Sequence, residues 1–168
     1  MSGVGHLAVG FAVKPVTPKT SLWVLLAAGE VNDLLYFFFS GVGLEQKVVT
    51  TVDFSQGIKY LTPTTNPWSH GLFMSLVWAA LTAVFTFAYY RDRRTALTLG
   101  LVVFSHWVLD FLMHSNLPVF FGNTPLVGLG LENSGPGLVF MTVFDILLVV
   151  GGMAFYFSSK HLRKKGSY

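Results

Sequence analysis

The sequence predicts an all-α integral membrane protein with four transmembrane helices and a short N-terminal helix that is re-entrant or interfacial. Of its 168 residues, 52% are hydrophobic and only 11% are charged, a balance that is typical of proteins in lipid. Four apolar stretches are long enough to cross a hydrocarbon layer about 30 Å thick. They are residues 22–39, 72–90, 96–113 and 138–157. We expect a single membrane domain over residues 1–168.

The first apolar segment, residues 4–13, is too short to span a bilayer and lacks the basic start of a secretion signal. If Lys14 marks the cytoplasmic surface, a helix over this segment would lift His6 about 12 Å into the membrane. Glu30, counted along the first span, lies at about 13–14 Å. The similar depth favours a re-entrant segment and makes His6 a candidate metal ligand.

The basic residues predict the orientation, because Lys and Arg near helix ends are retained on the cytoplasmic side. Nine of them fall on one face and two on the other. This indicates a multi-pass protein of the cytoplasmic (inner) membrane with N and C termini in the cytoplasm. The nine are Lys14, Lys19, Arg91, Arg93, Arg94, Lys160, Arg163, Lys164 and Lys165, and the two are Lys47 and Lys59.

The net charge of +3 therefore reflects topology, and no nucleic acid partner is expected. The chain has no cysteine, which excludes disulfides, thiolate zinc sites and cysteine nucleophiles. Any metal site must use His, Asp and Glu.

Ionisable side chains inside the predicted spans are the strongest indication of function, because such groups are costly in a bilayer and are usually functional. Counting residues at about 1.5 Å each brings three spans to one polar layer about 18 Å above the cytoplasmic face, with further polar groups above it. A polar cavity that opens outward follows. The residues concerned are Glu30 and Asp33 in the first span, His70 at the start of the second, His106, Asp110 and His114 in the third, and Asp145 in the fourth.

The spacing in the third span places His106, Asp110 and His114 on one helix face, four residues apart. Because His106 and His114 are about 12 Å apart along the axis, one zinc ion with bonds of about 2 Å cannot easily hold both. Two arrangements remain open. Either Asp110 and one histidine bind an ion together with Asp33, Glu30 or His70, or two ions are held with a carboxylate between them. The second arrangement suits hydrolysis of a phosphate or acyl bond by metal-activated water.

Other interpretations apply to single residues. The polar groups of the third span could form a hydrogen-bonded network that ties helices together. Glu30 and Asp33 need a cation or a proton, since no Lys or Arg lies within a span, and either could act as a catalytic acid or base. Asp145 is expected to orient an imidazole from outside the ligand set.

Four motifs resemble the family of membrane-bound metal-dependent hydrolases, which are small multi-span bacterial and archaeal proteins. Gly5-His6-Leu7-Ala8-Val9-Gly10 resembles the family's early histidine in a small-residue segment. Asn32-Asp33-Leu34-Leu35 is similar to its Pro-Asp-x-Asp motif, with Leu35 in place of the second Asp and Glu30 nearby as a replacement. Ser69-His70-Gly71 resembles its Thr-His-Ser motif, and residues 106–110 match its His-x-x-x-Asp motif. His114 stands where the family often has Thr.

Together the residues and the resemblance imply a divalent metal cofactor, zinc being the metal expected, and a hydrolase. The predicted ligands are His6, Asp33, His70, His106, Asp110 and His114. Because the site would open near the outer leaflet, a membrane lipid or a lipid-linked ester or phosphoester is the expected substrate. The alternatives are a non-catalytic protein that binds or conducts cations or protons, and an accessory subunit of a membrane complex.

Overall fold

A computed structural model describes residues 3–46, 50–53, 58–61 and 65–165 of the chain. These residues form six α-helices: α1 (Gly3–Val13), α2 (Leu22–Gly29), α3 (Val31–Gly41), α4 (Leu72–Tyr90), α5 (Arg93–Met113) and α6 (Gly135–Lys165). Two short antiparallel hairpins connect them. The first pairs β1 (Thr50–Asp53) with β2 (Ile58–Leu61), and the second pairs β3 (Leu117–Pro118) with β4 (Leu126–Val127).

Three described helices are long and apolar enough to cross a membrane: α4, α5 and the part of α6 from Gly135 to His161. The pair of α2 and α3 would form a fourth span if it is counted as one bent segment. The predicted helical fold is thus confirmed, with three to four candidate spans. The two hairpins were not predicted, because strands of two to four residues are too short to show an alternating pattern in the sequence.

The first predicted span is not continuous. Its two halves, α2 and α3, meet at an angle of 56°, and Glu30 lies at the break, where its backbone N–H donates to the carbonyl of Ala27. Gly29 before the break and the Asn32-Asp33 pair after it are residues that favour helix ends over helix interiors. Glu30 and Asp33, three residues apart, would share a face of one straight helix, but the bend at Glu30 interrupts that arrangement.

Helix α5 is the central helix of the fold. In the apolar 18-residue stretch that could cross the membrane, 50% of the α5 residues are buried, compared with 22% for α4 and 17% for α6. Gly100 allows its close approach to α4, since a Cβ there would lie 2.9 Å from the carbonyl oxygen of Ala79. The apolar core forms around it from Leu25, Ala28, Leu99, Val102 and Val103.

A tight turn joins α4 to α5, and Asp92 caps α5 by accepting hydrogen bonds from the backbone N–H groups of Arg94 and Thr95. Its hydrogen bonds with Thr95 lower the pKa of Asp92, with a smaller contribution from the charge of Lys19. The α1–α2 loop and the α4–α5 turn are therefore close together at one end of the molecule. This basic end carries Lys19, Arg91, Arg93 and Arg94.

Glycines allow α1 to pack closely against its neighbouring helices. A Cβ at Gly10 would lie 3.0 Å from the backbone of Leu25, one at Gly29 would lie 2.8 Å from the carbonyl oxygen of His6, and one at Gly152 would lie 2.6 Å from that of Ala8. Small residues allow such close contacts between apolar helices. Helix α1 is consequently packed against α2 and α6, and His6 in its second turn is only 2% exposed.

Candidate metal centre

Histidine and aspartate side chains from four parts of the chain meet beside the C-terminal half of α5. Helix α5 contributes His106 and Asp110, and His114 follows at its C-terminal cap. Helix α1 brings His6, the first turn of α3 brings Asp33, and the segment before α4 brings His70. The six residues predicted as metal ligands are thus gathered in one cluster. It lies about 25 Å along α5 from the basic end, counting from Arg93 to Asp110.

Two imidazoles are each held between the same two carboxylates. The Nε2 atom of His70 lies 3.3 Å from Asp33 Oδ1 and 3.5 Å from Asp110 Oδ2. The Nε2 atom of His106 lies 3.6 Å from Asp33 Oδ1 and 3.4 Å from Asp110 Oδ2. These four atoms form a closed ring, which we call the inner ring, in which each nitrogen neighbours both oxygens.

The other two imidazoles approach the second oxygen of Asp110. His6 Nε2 is 3.4 Å and His114 Nε2 is 3.6 Å from Asp110 Oδ1. The rings of His6 and His106 are stacked, with their centroids 3.6 Å apart. Asp110 therefore contacts all four imidazoles, although it is only 2% exposed.

The distances are informative because they are longer than those of strong hydrogen bonds. Charge-assisted N–H···O bonds are about 2.7–2.9 Å long, whereas the six nitrogen–oxygen pairs are 3.3–3.6 Å apart. Two ligand atoms about 2.0–2.1 Å from a tetrahedral zinc ion would be separated by about 3.3–3.4 Å. Among the described residues, two groups of three have ligand atoms within 4.8 Å of one another and could hold an ion: His70, His106 and Asp110, and His6, Asp33 and His106.

Hydrogen bonds to the outer ring nitrogens determine which way the imidazoles present their lone pairs. His106 Nδ1 is 2.8 Å from the carbonyl oxygen of Gly29, which can only accept. His106 Nδ1 must therefore donate, and in the neutral ring the lone pair is on Nε2, facing Asp33 and Asp110. Within the described residues, His106 Nε2 has no hydrogen-bond partner.

His70 is oriented by a chain of two hydrogen bonds. Ser69 Oγ donates to Glu45 Oε2 at 2.7 Å, and it lies 2.7 Å from His70 Nδ1. Since the single hydroxyl proton goes to Glu45, Ser69 accepts from His70 Nδ1–H. Glu45 is itself fixed by the backbone N–H groups of Trp68 and Ser69. The lone pair of neutral His70 is again on Nε2.

His114 is oriented by a direct contact with a buried carboxylate. Its Nδ1 lies 2.5 Å from Glu132 Oε1, and Glu132, in the short 3-10 turn before α6, is 1% exposed. Metal-bound histidines commonly donate their second ring N–H to such carboxylate or carbonyl partners.

The cluster's side chains differ in solvent exposure, and the difference indicates where the cluster opens. The side chains of His6, His106 and Asp110 are 1–3% exposed, whereas those of Asp33, His114 and His70 are 33%, 20% and 15% exposed. Access from outside is therefore past Asp33, His70 and His114, on the side of the cluster away from the basic end.

Glu30 and Asp145, the remaining predicted site residues, lie in different surroundings. Glu30 is at the helix break, and its charge interacts with those of Asp33, His106 and Asp110. Among the described residues, its Oε1 atom is buried and has no hydrogen-bond partner. Asp145 is 6% exposed on α6, the helix that packs against α1. Its predicted role in orienting an imidazole stays a prediction.

Sequence reasoning missed three residues that support the cluster. Glu45 and Glu132 lie in polar loops, where an acidic residue normally indicates solvent exposure. Asn32 is fully buried and donates to Ser75 Oγ on α4 at 2.9 Å. For the two glutamates, the only sequence signal is that the loops outside the predicted spans contain few acidic residues.

Comparison with protein-family models found none that matches the chain, and comparisons with curated proteins and with solved structures found no match either. A function can therefore be inferred only from the geometry of the cluster.

Proposed function

We propose that this protein is a membrane-embedded, metal-dependent hydrolase whose cation, zinc in our proposal, is bound in the inner ring by Asp33, His70, His106 and Asp110. The observation that carries the proposal is the set of four nitrogen–oxygen distances of 3.3–3.6 Å. Neutral imidazoles would otherwise point lone pairs at carboxylate oxygens, which is unfavourable without a positive charge between them. The resemblance to membrane-bound metal-dependent hydrolases agrees with this ligand set.

A bound divalent cation supplies Lewis-acid chemistry, since it polarises a phosphoryl or acyl oxygen and lowers the pKa of water. The chain contributes the proton acceptor. Because Asp33 belongs to the inner ring, Glu30 is the spare carboxylate, and we assign it the role of general base. Its unpartnered Oε1 atom leaves it able to accept a proton from an attacking water.

The substrate in this proposal is a membrane lipid or a lipid-linked ester or phosphoester. An apolar cleft of about 280 Å³ lies between α1 and α6. Its first lining residue on α1 is Ala8, two residues after His6 in the sequence. The cleft could hold an acyl chain, and a polar group would have to enter the cluster on its exposed side, past Asp33, His70 and His114. The cleft is lined by Ala8, Val9, Ala12, Leu147, Leu148, Gly151, Gly152 and Phe155.

We further propose that the protein resides in the cytoplasmic (inner) membrane with its basic end inside, as the positive-inside rule favours. The α1–α2 loop, the α4–α5 turn and the C-terminal end of α6 then face the cytoplasm. The cluster lies toward the outer leaflet. In this orientation α1 runs from the level of the cluster to the cytoplasmic surface, and His6 lies within the bilayer.

Activity assays test the proposal. The purified full-length protein in lipid vesicles is offered phospholipids and polyprenyl phosphates, before and after treatment with a chelator. We expect hydrolysis of one class, its loss on metal removal and its return with zinc. Hydrolysis that survives complete metal removal would refute the proposal. Stoichiometric metal without hydrolysis of any ester would favour the non-catalytic cation-binding alternative.

The Glu30→Gln variant tests the assigned base. Because the amide cannot accept the proton, we expect the rate to fall about 10²- to 10⁴-fold, while the metal content stays unchanged. The matched control is His161→Ala, a substitution of an exposed residue near the C-terminal end of α6, which should leave the rate unchanged. A Glu30→Gln variant with full activity would remove Glu30 from the mechanism.

The two supporting glutamates give a separate prediction. Glu132→Gln and Glu45→Gln should each weaken metal affinity about 10- to 100-fold, because they disturb the partners that orient His114 and His70. Competition with a fluorescent zinc chelator measures the affinity. Gln46→Ala, at the exposed neighbour of Glu45, is the control. Unchanged affinity in both glutamate variants would show that these contacts serve only packing.

A further inference from the structure

The basic end of the molecule carries more positive charge than its own carboxylates neutralise. Its four cationic side chains are exposed, and within the described residues none of them forms an ion pair. The acidic residue among them, Asp92, is engaged by the turn itself, since it accepts from two backbone N–H groups and from the hydroxyl of Thr95. The four cations are Lys19, Arg91, Arg93 and Arg94.

Three of these cations occupy positions that local backbone physics does not favour. Arg91 ends α4 and, among the described residues, is the one non-glycine residue with a positive φ, of 54°. Glycine is favoured in this left-handed region at a helix end, because a larger side chain is strained there. Arg93 and Arg94 begin α5, where the helix dipole disfavours cations. The positive-inside rule favours basic residues on this side of the membrane, but it does not require one at a left-handed position.

The fourth cation, Lys19, is held near the same turn by the α1–α2 loop. Its two neighbours in the sequence are fixed by Lys14, whose Nζ donates to the carbonyl oxygens of Pro18 and Thr20. Hydrogen bonds within the turn lower the pKa of Asp92, and the charge of Lys19 lowers it further. Two separate segments of the chain thus contribute positive charge to one surface.

Aromatic side chains flank this surface on its apolar side. Trp23, in the first turn of α2, and Tyr89, near the end of α4, are both largely exposed. Trp and Tyr are enriched at the level of lipid headgroups, because their rings are apolar and their polar edges form hydrogen bonds. Phe85, one turn further into α4, is exposed as well, as expected of a side chain that faces acyl chains. The four cations then lie at headgroup level.

We propose that this surface binds the headgroup of an anionic phospholipid, with the phosphate held between Lys19 and the arginines of the α4–α5 turn. Guanidinium groups bind phosphate oxygens through pairs of parallel hydrogen bonds, and cations clustered beside a membrane helix attract anionic lipids. The surface lies about 25 Å along α5 from the candidate metal centre. The bound lipid is therefore separate from the proposed substrate, and the inference does not depend on the proposed function.

Native mass spectrometry of the full-length protein in detergent tests the binding. The protein is titrated with phosphatidylglycerol and, separately, with phosphatidylcholine that has the same acyl chains. We expect one phosphatidylglycerol per chain, bound at least about 10-fold more tightly than phosphatidylcholine, since each nearby cation contributes about 5-fold to the affinity for an anionic lipid. Equal affinities for the two lipids would overturn the proposal.

The Arg91→Gly variant separates lipid binding from folding. Glycine adopts a φ of 54° without strain, so the melting temperature in lipid-free detergent should equal or exceed that of the wild type. The affinity for phosphatidylglycerol should nevertheless fall about 5-fold. Lys160→Gln, which removes an exposed charge from α6, is the control and should leave the affinity unchanged. An equal loss in both variants would indicate a diffuse effect of net charge and would overturn the local site.

A double variant, Arg93→Gln with Arg94→Gln, provides a second test that leaves the left-handed position untouched. Removing two cations should lower the affinity about 25-fold. If Arg91→Gly proves unstable, this variant decides, and an unchanged affinity would overturn the proposal. Inorganic phosphate is added as a competitor to distinguish a lipid from a soluble ligand. We expect it not to displace the lipid, and displacement at concentrations similar to those of the lipid would make a soluble phosphate the ligand instead.

Discussion

Replacing Asp110 with asparagine is expected to remove bound metal from the purified protein, with zinc content falling to less than a tenth of the wild-type value. The amide keeps the size of the side chain but loses the negative charge that faces four imidazoles. One of its two terminal atoms becomes an NH₂ donor, which cannot bind a cation. Mass spectrometry of the metal after gel filtration measures the content.

Asp92→Asn is the matched control for this substitution. Asparagine is as good an N-cap as aspartate, and Asp92 lies at the basic end of α5, far from the cluster. We expect its metal content to equal that of the wild type. Should Asp110→Asn retain full metal content while folded, Asp110 would not be a ligand, and the arrangement proposed for the inner ring would be wrong.

Replacing Gly29 with alanine is expected to weaken metal binding although no proposed ligand is changed. A Cβ at this position would lie 2.8 Å from the carbonyl oxygen of His6, so α1 and α2 must move apart. The movement displaces His6, and it shifts the Gly29 carbonyl that accepts from His106 Nδ1. Overpacking costs about 1–3 kcal/mol, which would lower the affinity about 5- to 150-fold if it acts wholly on binding.

Gly41→Ala provides the control, because no atom lies within 4 Å of a Cβ built there. Its zinc affinity and thermal stability should match those of the wild type. If Gly29→Ala binds zinc as tightly as Gly41→Ala does, the packing of α1 against α2 does not control the geometry of the site.

Much of the candidate site was predictable because ionisable residues are costly in apolar helices. Asp33, His70, His106 and Asp110 lie in or beside apolar stretches, and mutual contact is the simplest way to stabilise them there. Counting depth along helices also brought Asp33 and His106 to one level, and these two side chains lie 3.6 Å apart. His6 was included because its estimated depth is similar to that of Glu30, and its Nε2 atom lies 3.4 Å from Asp110 Oδ1; its role as a metal ligand stays a prediction.

Other features depend on tertiary contacts that leave little trace in a single sequence. Nothing in a hydropathy pattern shows that Glu45 and Glu132 fold back from polar loops onto His70 and His114. The bend at Glu30 was not predicted because most residues on both sides of it are apolar, although Gly29 and Asn32 are consistent with a helix end. The sequence also does not show that the two oxygens of Asp110 face different pairs of imidazoles.

The most direct test of the central claim is X-ray absorption at the zinc edge on the wild-type protein after gel filtration. We predict stoichiometric zinc with a shell of nitrogen and oxygen ligands at about 2.0–2.1 Å, together with the multiple-scattering pattern of at least two imidazoles. A protein that carries no stoichiometric metal after zinc loading, or zinc without imidazole ligands, would contradict the account.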